Sequence, residues 1–197
     1  MTTMAKKLHR VPVRLDATGV ECLSPDELKA ILRGADDLIM RGGRNLLAQV
    51  LKGSRRKRLL ELGLDESPVF GYYRDLDEKR ILARIDWVIL EGYLEIEYDY
   101  RLPLLVYTRR GWEIEKVTYA EELLRDFDRA LETDQKEFDV EKLKDRNREL
   151  IWLLLDKVQA TRSPKYIPLL EAWAKIDYKK VKRRIGEIIQ GMDKSAV

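Results

Sequence analysis

The fold is decided by the stretch ILARIDWVILEGYLEIEYDYRLPLLVYT, residues 81–108. Its first part carries apolar residues at the spacing of one helix face: Ile81, Ile85, Val88, Ile89 and Leu90. Gly92 ends this predicted helix, and Asp77 provides an N-cap at its other end. Two alternating runs follow, residues 93–98 and 104–108, and the residues between them predict a hairpin tip. The sequence therefore predicts a helix that leads directly into a β-hairpin.

Upstream of this stretch the sequence predicts further helices. Ser24-Pro25-Asp26-Glu27 predicts a helix start, because it combines a Ser N-cap, an early proline and acidic residues in the first turn. Gly42-Gly43 ends that helix, and a second one runs from about Arg44 to Gly53-Ser54. A third helical turn follows, with three leucines expected to be buried: Leu59, Leu60 and Leu62. Helices followed by a β-wing are typical of the winged helix-turn-helix, in which the helix before the wing occupies the recognition position.

Beyond Trp112 the sequence predicts highly charged helices, covering residues 119–133, 140–160, 164–174 and 178–190. A polar break at residues 133–139 is the predicted linker, and the alternation from Leu8 to Leu15 predicts a short edge strand. The predicted organisation is a basic N-terminal arm (1–23), a winged-helix domain (24–116) and a C-terminal helical domain (117–197). The predicted fold class is mainly α (α+β): a winged helix-turn-helix with a hairpin wing, followed by a helical bundle or HEAT-like segment.

The composition excludes several kinds of site. With one cysteine, Cys22, and one histidine, His9, a disulfide within the chain is impossible and a zinc site is not expected. Cys22 is interpreted as a small buried apolar residue. No nucleophile and base stand in a recognisable constellation, so we expect no enzymatic activity and no cofactor. The sequence has no apolar run long enough to span a membrane and no signal peptide, so a cytoplasmic protein is expected.

Positive charge is concentrated in two blocks, although the net charge is only +3. Residues 33–58 carry eight Lys and Arg against two acids, and residues 157–187 carry nine against three. Acids outnumber bases in the segments between and beside them, 65–97 and 113–149. Two basic surfaces separated by acidic scaffolding suit a polyanionic partner, while simple solubility explains the same pattern equally well.

An ordered set of short motifs between residues 43 and 114 resembles the RecQ C-terminal (RQC) domain, a winged helix. The motifs are Leu51-Lys52-Gly53-Ser54 followed by Arg58, then Leu64-Asp65 leading to Phe70-Gly71, then residues 85–89 ending in Gly92-Tyr93-Leu94, and finally residues 104–108 leading to Gly111. More closely, the chain is similar to the stand-alone bacterial RQC-minor group, which has no helicase motor. Consistent with that group, the sequence contains neither a phosphate-binding loop with Lys-Ser/Thr nor a four-cysteine zinc subdomain.

The resemblance implies a DNA-binding site at the basic turn. Ser54 and Arg58 match family positions that hold the phosphate backbone, and a hydroxyl with backbone N–H groups at a helix N-terminus suits a phosphate oxygen. Three neighbours are expected to add phosphate contacts: Arg55, Arg56 and Lys57. Arg74 stands where the family often has a basic residue, although the second glycine of the family turn is absent here. The alternative is a capped helix with a solvated basic turn.

The predicted wing tip holds Tyr100 and Arg101, which complete the set of candidate DNA-binding residues. In RecQ relatives an aromatic side chain at this tip stacks on the end of the duplex, so the resemblance implies that Tyr100 stacks on a terminal base while Arg101 holds a phosphate. The alternative is that Tyr100 packs against Tyr98 within the hairpin.

The resemblance favours a non-catalytic binder of nucleic acid, DNA rather than RNA, selective for duplex ends, forks or junctions in repair or replication. A separate helicase or another protein is the expected protein partner. Two other functions stay open: a protein–protein interaction adaptor, which the HEAT-like segment 155–183 would suit, and a winged-helix transcription regulator. The regulator is disfavoured because helix 81–90 carries Asp86, with Glu91 just beyond it, and few hydrogen-bond donors for the major groove. A basic run on the last helix, residues 179–184, is interpreted as a solvated face.

Overall fold

The computed structural model describes residues 10–132 and 139–193. Within them the chain forms eight α-helices and one two-stranded antiparallel hairpin, which confirms the predicted mainly α winged-helix class. The chain divides into two compact units, residues 1–115 and 116–197, here called the first and second units. His9, the start of the predicted arm and most of the predicted linker (133–138) lie outside the described residues.

The first unit contains four helices and the hairpin, and a fifth helix begins in it. Their bounds are α1 Pro25–Asp36, α2 Arg44–Lys52, α3 Lys57–Glu61, α4 Glu78–Leu90, β1 Leu94–Asp99, β2 Leu102–Tyr107 and α5 Arg109–Glu132, with a 3-10 turn at Leu64–Glu66. The predicted caps of the first and fourth helices are present. Ser24 and Glu27 form a reciprocal capping box, and the Asp77 side chain accepts a hydrogen bond from the Arg80 amide.

The core of the first unit lies between α1, α2, α4 and the inner face of the hairpin. Its fully buried side chains come from each of these elements, and they include Ile31, Leu47, Ile81, Ile85, Leu94 and Leu105. Burial of one such side chain contributes about 1.5–3 kcal/mol. The helical periodicity of the sequence therefore fixes which face of each helix turns inward.

The hairpin is tighter than predicted. Asp99 pairs with Leu102, so only Tyr100 and Arg101 form the turn. The turn before α2 is hydrogen-bonded to the hairpin, because Met40 N donates to Leu105 O and Leu105 N donates to Gly42 O, each at 3.0 Å. The wing is thus anchored to the loop that leads into α2.

Four predictions about the first unit were wrong. The described part of the predicted strand 8–15 is not a strand. Leu60 and Leu62 are exposed, because the short α3 buries only Leu59. Cys22 is also exposed, since it lies in the irregular segment before Ser24. Helix α5 begins at Arg109, ten residues before the predicted start, so Gly111 and Trp112 lie within a helix rather than closing a loop.

The second unit is helical throughout its described part. After α5 come α6 Arg148–Thr161, α7 Ile167–Ile176 and α8 Lys179–Asp193, with 3-10 turns at Val140–Leu143 and Pro164–Tyr166. The predicted single helix 140–160 was wrong, because Asn147 starts a new helix by accepting a hydrogen bond from the Glu149 amide. Trp173 is fully buried in the core of this unit, and its indole N–H donates to Asp177 at 2.7 Å.

Candidate nucleic-acid interface

The Gly53-Ser54 turn closes α2. Gly53 adopts the left-handed conformation (φ 76°), and the amides of Gly53 and Ser54 donate to the last carbonyls of α2, with Ser54 N 2.9 Å from Gln49 O. This is the usual glycine C-cap of a helix. The prediction that the turn lies at a helix N-terminus with free N–H groups was therefore wrong. The half-buried Ser54 keeps its hydroxyl available, since it has no hydrogen-bond partner within the described residues.

A second turn packs directly against the first. Gly71 N donates to Val50 O at 2.9 Å, and a Cβ on Gly53 would lie 3.0 Å from the Gly71 Cα. Only a residue without a side chain permits this approach. The contact places the exposed Arg74 beside the basic turn, where its Nε donates to Gly71 O. The structure thus brings Arg74 next to the Gly53-Ser54 turn, and glycine is favoured at position 53 by the close approach and at position 71 by its positive φ of 74°.

The four cations after Ser54 are all exposed. Lys57 forms an ion pair with Glu61 on the next turn of α3, at 3.6 Å. Within residues 10–132 and 139–193, the other three have no acidic partner: Arg55, Arg56 and Arg58. Exposed unpaired guanidinium groups are suited to bidentate contacts with phosphate oxygens, and they lose no internal ion pair on binding.

The wing tip presents an aromatic ring to solvent. Tyr100 is 78% exposed and adopts a left-handed backbone conformation (φ 53°) at the first position of the two-residue turn. Such turns require a positive φ at this position and normally use Gly, Asn or Asp there. This exposure excludes the alternative that the Tyr100 ring packs on Tyr98. The Tyr98 hydroxyl donates to Val11 O. Arg101 beside it is exposed as well.

The basic turn and the wing border one cavity of about 390 Å³. Arg58 lines it from the side of α3, while Leu102 and Pro103 line it from the wing. Of the predicted site residues only Arg58 lines this cavity, and Tyr100 and Arg101 directly precede its lining residue Leu102 in the wing. Arg41 and Arg44 also line this cavity, and neither was predicted from the sequence as a site residue. The sequence feature that could have pointed to these two arginines is the Gly42-Gly43 pair between them, which allows the loop to lie against the wing.

The helix at the recognition position is held by a buried ion pair. Asp86 on α4 is 1% exposed and accepts hydrogen bonds from the Arg44 guanidinium and from the Asp16 amide, the latter at 2.8 Å. The same guanidinium donates to Arg14 O at 2.9 Å. The use of Asp86 as an argument against major-groove contact was therefore wrong, because this carboxylate faces the protein interior. It fixes the segment around residues 14–16 against α4.

Two tyrosines of the first unit, Tyr107 and Tyr73, have a structural role. Burial raises the pKa of Tyr107, whose hydroxyl donates to Leu32 O at 2.7 Å. Burial, together with the neighbouring Glu27 carboxylate, raises the pKa of Tyr73. Both hydroxyls stay protonated and serve as hydrogen-bond donors inside the fold. The groups of the candidate site that face solvent are therefore its cations and the ring of Tyr100.

The basic run on α8 is interleaved with acids. Arg184 contacts Asp156 at 2.8 Å, Arg183 pairs with Glu187, and Lys182 donates to the Lys175 carbonyl. Lys179 and Lys180 are exposed at the start of the helix. Among the described residues there is no cluster of His, Cys, Asp and Glu able to hold a metal ion, and no helix has the length and apolarity needed to cross a bilayer.

The four helices before the hairpin, the hairpin wing itself and the basic turn after α2 define a winged-helix protein whose exposed chemistry suits a polyanion. A family model for the RQC domain matches residues 25–149. The chain therefore belongs to the RQC domain family, the nucleic-acid-binding winged helix of RecQ-type proteins. In the comparisons with curated proteins and with solved structures, no protein matched.

Proposed function

We propose that this protein binds DNA without catalysing a reaction on it, and that it selects duplex ends, forks or junctions. The observation that carries the proposal is Tyr100, a large ring held out in solvent at a turn position that favours glycine. A non-glycine residue with positive φ costs about 1–2 kcal/mol. A strained backbone position that displays a functional group is a feature of binding sites.

The ring and the basic turn have separate tasks in this proposal. Arg55, Arg56 and Arg58 bind phosphates of the duplex, releasing counterions and giving affinity without base readout. Arg74 and the Ser54 hydroxyl add contacts at the same turn. Tyr100 stacks on the last base pair, where a planar face is exposed only at an end or a fork, and Arg101 holds a flanking phosphate. Selectivity for structure then follows from the ring, and affinity follows from the arginines.

A binding role is favoured over an enzymatic one because the exposed groups are cations, a hydroxyl and a phenol ring, with no base placed to activate a nucleophile among the described residues. We propose that the protein acts together with a separate helicase or another protein in DNA repair or replication, inside the cytoplasm. The second unit, which has a HEAT-like pattern in residues 155–183, is the proposed surface for that partner.

The test is fluorescence anisotropy over a salt series with four labelled substrates: single-stranded DNA, blunt duplex, forked duplex and duplex RNA. The proposal expects the tightest binding to the fork and a steep salt dependence. Arg58→Ala is expected to weaken binding to every substrate about tenfold at 0.1 M salt and to lower the salt slope by about 1. Absence of binding to all four at low salt contradicts the proposal and favours a protein-interaction adaptor. Tight binding to a single duplex sequence favours a regulator.

Tyr100→Asn separates the ring from the turn. Asparagine accepts a positive φ, so the variant is expected to unfold at the same urea concentration as the parent or at a higher one. Loss of the stacking ring costs about 1–3 kcal/mol of binding, or roughly 5- to 150-fold, on forks and ends. Binding to a long duplex, where internal sites dominate, is expected to change less than twofold. Equal losses on forks and on long duplex would contradict the stacking role.

A further inference from the structure

The cavity beside the wing has three walls that the fold holds together. One wall is the loop into α2 with the start of that helix, the second is strand β2, and the third is the extended segment at residues 11–13. Val11 N donates to Arg101 O at 3.2 Å, which ties the third wall to the wing. The volume of about 390 Å³ lies within the usual range of small-ligand sites, about 300–1,000 Å³.

The contact between the first two walls is unusually close. A Cβ on Gly43 would lie 2.7 Å from the Pro103 carbonyl oxygen, so this position has no room for any side chain. Together with the Met40–Leu105 and Leu105–Gly42 hydrogen bonds, this approach fixes the base of the groove. The groove is therefore preformed rather than dependent on a loop that must close.

The chemistry of the lining is positive and apolar. No acidic residue lines the groove in the part of the chain that the structure describes. Arg41 and Arg58 are exposed and have no acidic partner among the described residues, while the Arg44 charge is balanced by Asp86. The other polar side chains are two amides, Asn45 and Gln49. The remaining side chains are apolar: Val11, Pro12, Val13, Leu46, Ile96, Leu102, Pro103, Leu104 and Leu105.

This lining matches the parts of an unpaired nucleotide. A base without its partner exposes flat apolar faces, which pack on Pro, Val and Leu side chains, and polar edges, which hydrogen-bond to amides. Its phosphate requires a cation, and the free cations at this groove are Arg41 and Arg58. In a paired duplex, by contrast, the base faces are stacked on one another and are not available to pack on the apolar part of the groove.

The groove is continuous with the proposed duplex site. Arg58 belongs to both, and Leu102, which is 61% exposed, follows directly on Tyr100 and Arg101 in the wing. We propose that this groove binds the first unpaired nucleotides of a strand that leaves the duplex at the wing tip, with Arg41 holding their phosphate. This inference rests on the proposed duplex-end binding, and it identifies the occupant as single-stranded nucleic acid attached to a duplex.

The experiment compares one blunt duplex with the same duplex carrying a four-nucleotide 3′ or 5′ tail. Anisotropy gives the affinities, and a 2-aminopurine at the first unpaired position reports on its surroundings. The parent is expected to bind one of the tailed duplexes about tenfold more tightly than the blunt one, as a single added phosphate contact provides near 0.1 M salt. Binding is also expected to change the 2-aminopurine emission.

Two variants assign the effect to the groove. Arg41→Ala is expected to remove most of the advantage of the tail while leaving blunt-duplex affinity within twofold. Arg55→Ala, which changes an exposed arginine that does not line the groove, is expected to weaken blunt and tailed duplexes by the same factor. Both side chains are exposed, so both variants should fold, and circular dichroism checks this.

The possible failures are distinguishable. If the parent binds the blunt and both tailed duplexes equally, or if Arg41→Ala weakens them all alike, the groove inference is overturned while duplex binding stands. If the parent binds neither the blunt nor any tailed duplex, the proposed function fails and the inference with it. If a free four-nucleotide strand binds as tightly as the tailed duplex, the groove acts independently of the wing, which also overturns the inference.

Discussion

The two basic blocks of the chain look alike in sequence but are used differently. In the first unit, four arginines of the block at residues 33–58 have no acidic partner within the described residues: Arg41, Arg55, Arg56 and Arg58. They lie on the basic turn and along the wing groove. In the second unit, the block at residues 157–187 forms ion pairs between separate helices, such as Lys157 with Glu121 and Arg184 with Asp156.

This difference shows that the number of charges in a block does not identify a binding surface. Three cations of the second block pair with acids on other elements (Lys157 with Glu121, Lys165 with Asp128 and Arg184 with Asp156), so part of the charge of this block is neutralised, whereas Lys179 and Lys180 are exposed. The unpaired arginines of the first unit keep their charge for an external anion. The first unit is therefore where a polyanion is expected to bind, and the predictions below test that contrast from the largest effect to the smallest.

The largest effect is expected from the buried ion pair between Asp86 and Arg44 in the first unit. Asp86→Ala leaves the Arg44 guanidinium and the Asp16 amide without their acceptor. Loss of one partner of a buried pair costs about 3–5 kcal/mol of unfolding free energy, which urea titration followed by circular dichroism would measure. Asp99→Ala, a change on the exposed hairpin, serves as the control and is expected to stay within about 0.5 kcal/mol. A loss below about 1 kcal/mol for Asp86→Ala would show that the pair contributes no more than a surface one.

The second effect concerns affinity and uses the unpaired arginines together. Replacing Arg55, Arg56 and Arg58 by alanine removes three proposed phosphate contacts. We expect the slope of log affinity against log salt to fall by about 3 and duplex affinity to drop about 1,000-fold near 0.1 M salt, about tenfold for each contact. Stability should be unaffected, since none of the three side chains has an acidic partner in the part of the chain that the structure describes. An unchanged salt slope would show that the interface lies elsewhere on the molecule.

The inter-helix ion pairs of the second unit are expected to contribute little individually. Lys157 and Glu121 are 3.1 Å apart and partly exposed, so Lys157→Ala should cost less than about 1 kcal/mol of unfolding free energy. A double-mutant cycle with Glu121→Ala isolates the coupling between the two. A coupling above about 2 kcal/mol would show that these pairs, rather than the apolar core, hold the second unit together.

A pH effect is expected at Asp128 in the second unit. Hydrogen bonds from Lys165 and Tyr166 lower the pKa of this carboxyl, with O–N and O–O distances of 2.8 and 2.6 Å. Because the folded pKa lies below the unfolded value of about 3.9, the stabilisation is present above that pH and is lost as the pH falls through the folded pKa. Asp128→Asn should therefore flatten the acid limb of the stability curve slightly, as measured by thermal midpoints between pH 2 and 6. An unchanged acid limb would rule out the contribution.

The smallest effect is expected at the start of α8. Lys179→Ala with Lys180→Ala removes two exposed cations from the second basic block. DNA affinity should change less than twofold, because the proposed interface does not include this helix. A loss as large as that of the arginine variant would show that both blocks bind DNA and would remove the contrast between the units.

Local sequence signals predicted most of the winged helix. The capping box at Ser24, the N-cap at Asp77 and the apolar spacing of residues 81–88 act over one or two helical turns, so they are legible without a tertiary structure. Boundaries were less accurate where local signals conflict. The helix after the wing was predicted to begin at residue 119, yet α5 begins at Arg109 and includes Gly111, whose place beside the Tyr93 carbonyl leaves no room for a Cβ.

The sequence predicted only part of the candidate site. Tyr100, Arg101 and the basic turn were found from the motif order, because the family resemblance carries those positions. The end of α2 at Gly53-Ser54 was predicted, but the same pair was also interpreted as a helix N-terminus with free N–H groups, which the hydrogen bonds of both amides to the last carbonyls of α2 contradict. Arg41 was missed because its importance comes from strand β2 and from residues 11–13, which lie far from it in sequence.

By itself, the sequence determined the helical class, the wing and the position of the ring at its tip, since periodicity, glycines and caps act through neighbouring residues. Only the tertiary structure decided which charges are free. It paired Arg44 with Asp86 across 42 positions of sequence and brought Gly43 against Pro103 beside the wing. Among residues 10–132 and 139–193, it left Arg41 and Arg58 without an acidic partner and placed no acid in the groove that they line. The sequence alone does not show whether a charged side chain is neutralised, because this depends on which groups the fold places within a few ångströms of it.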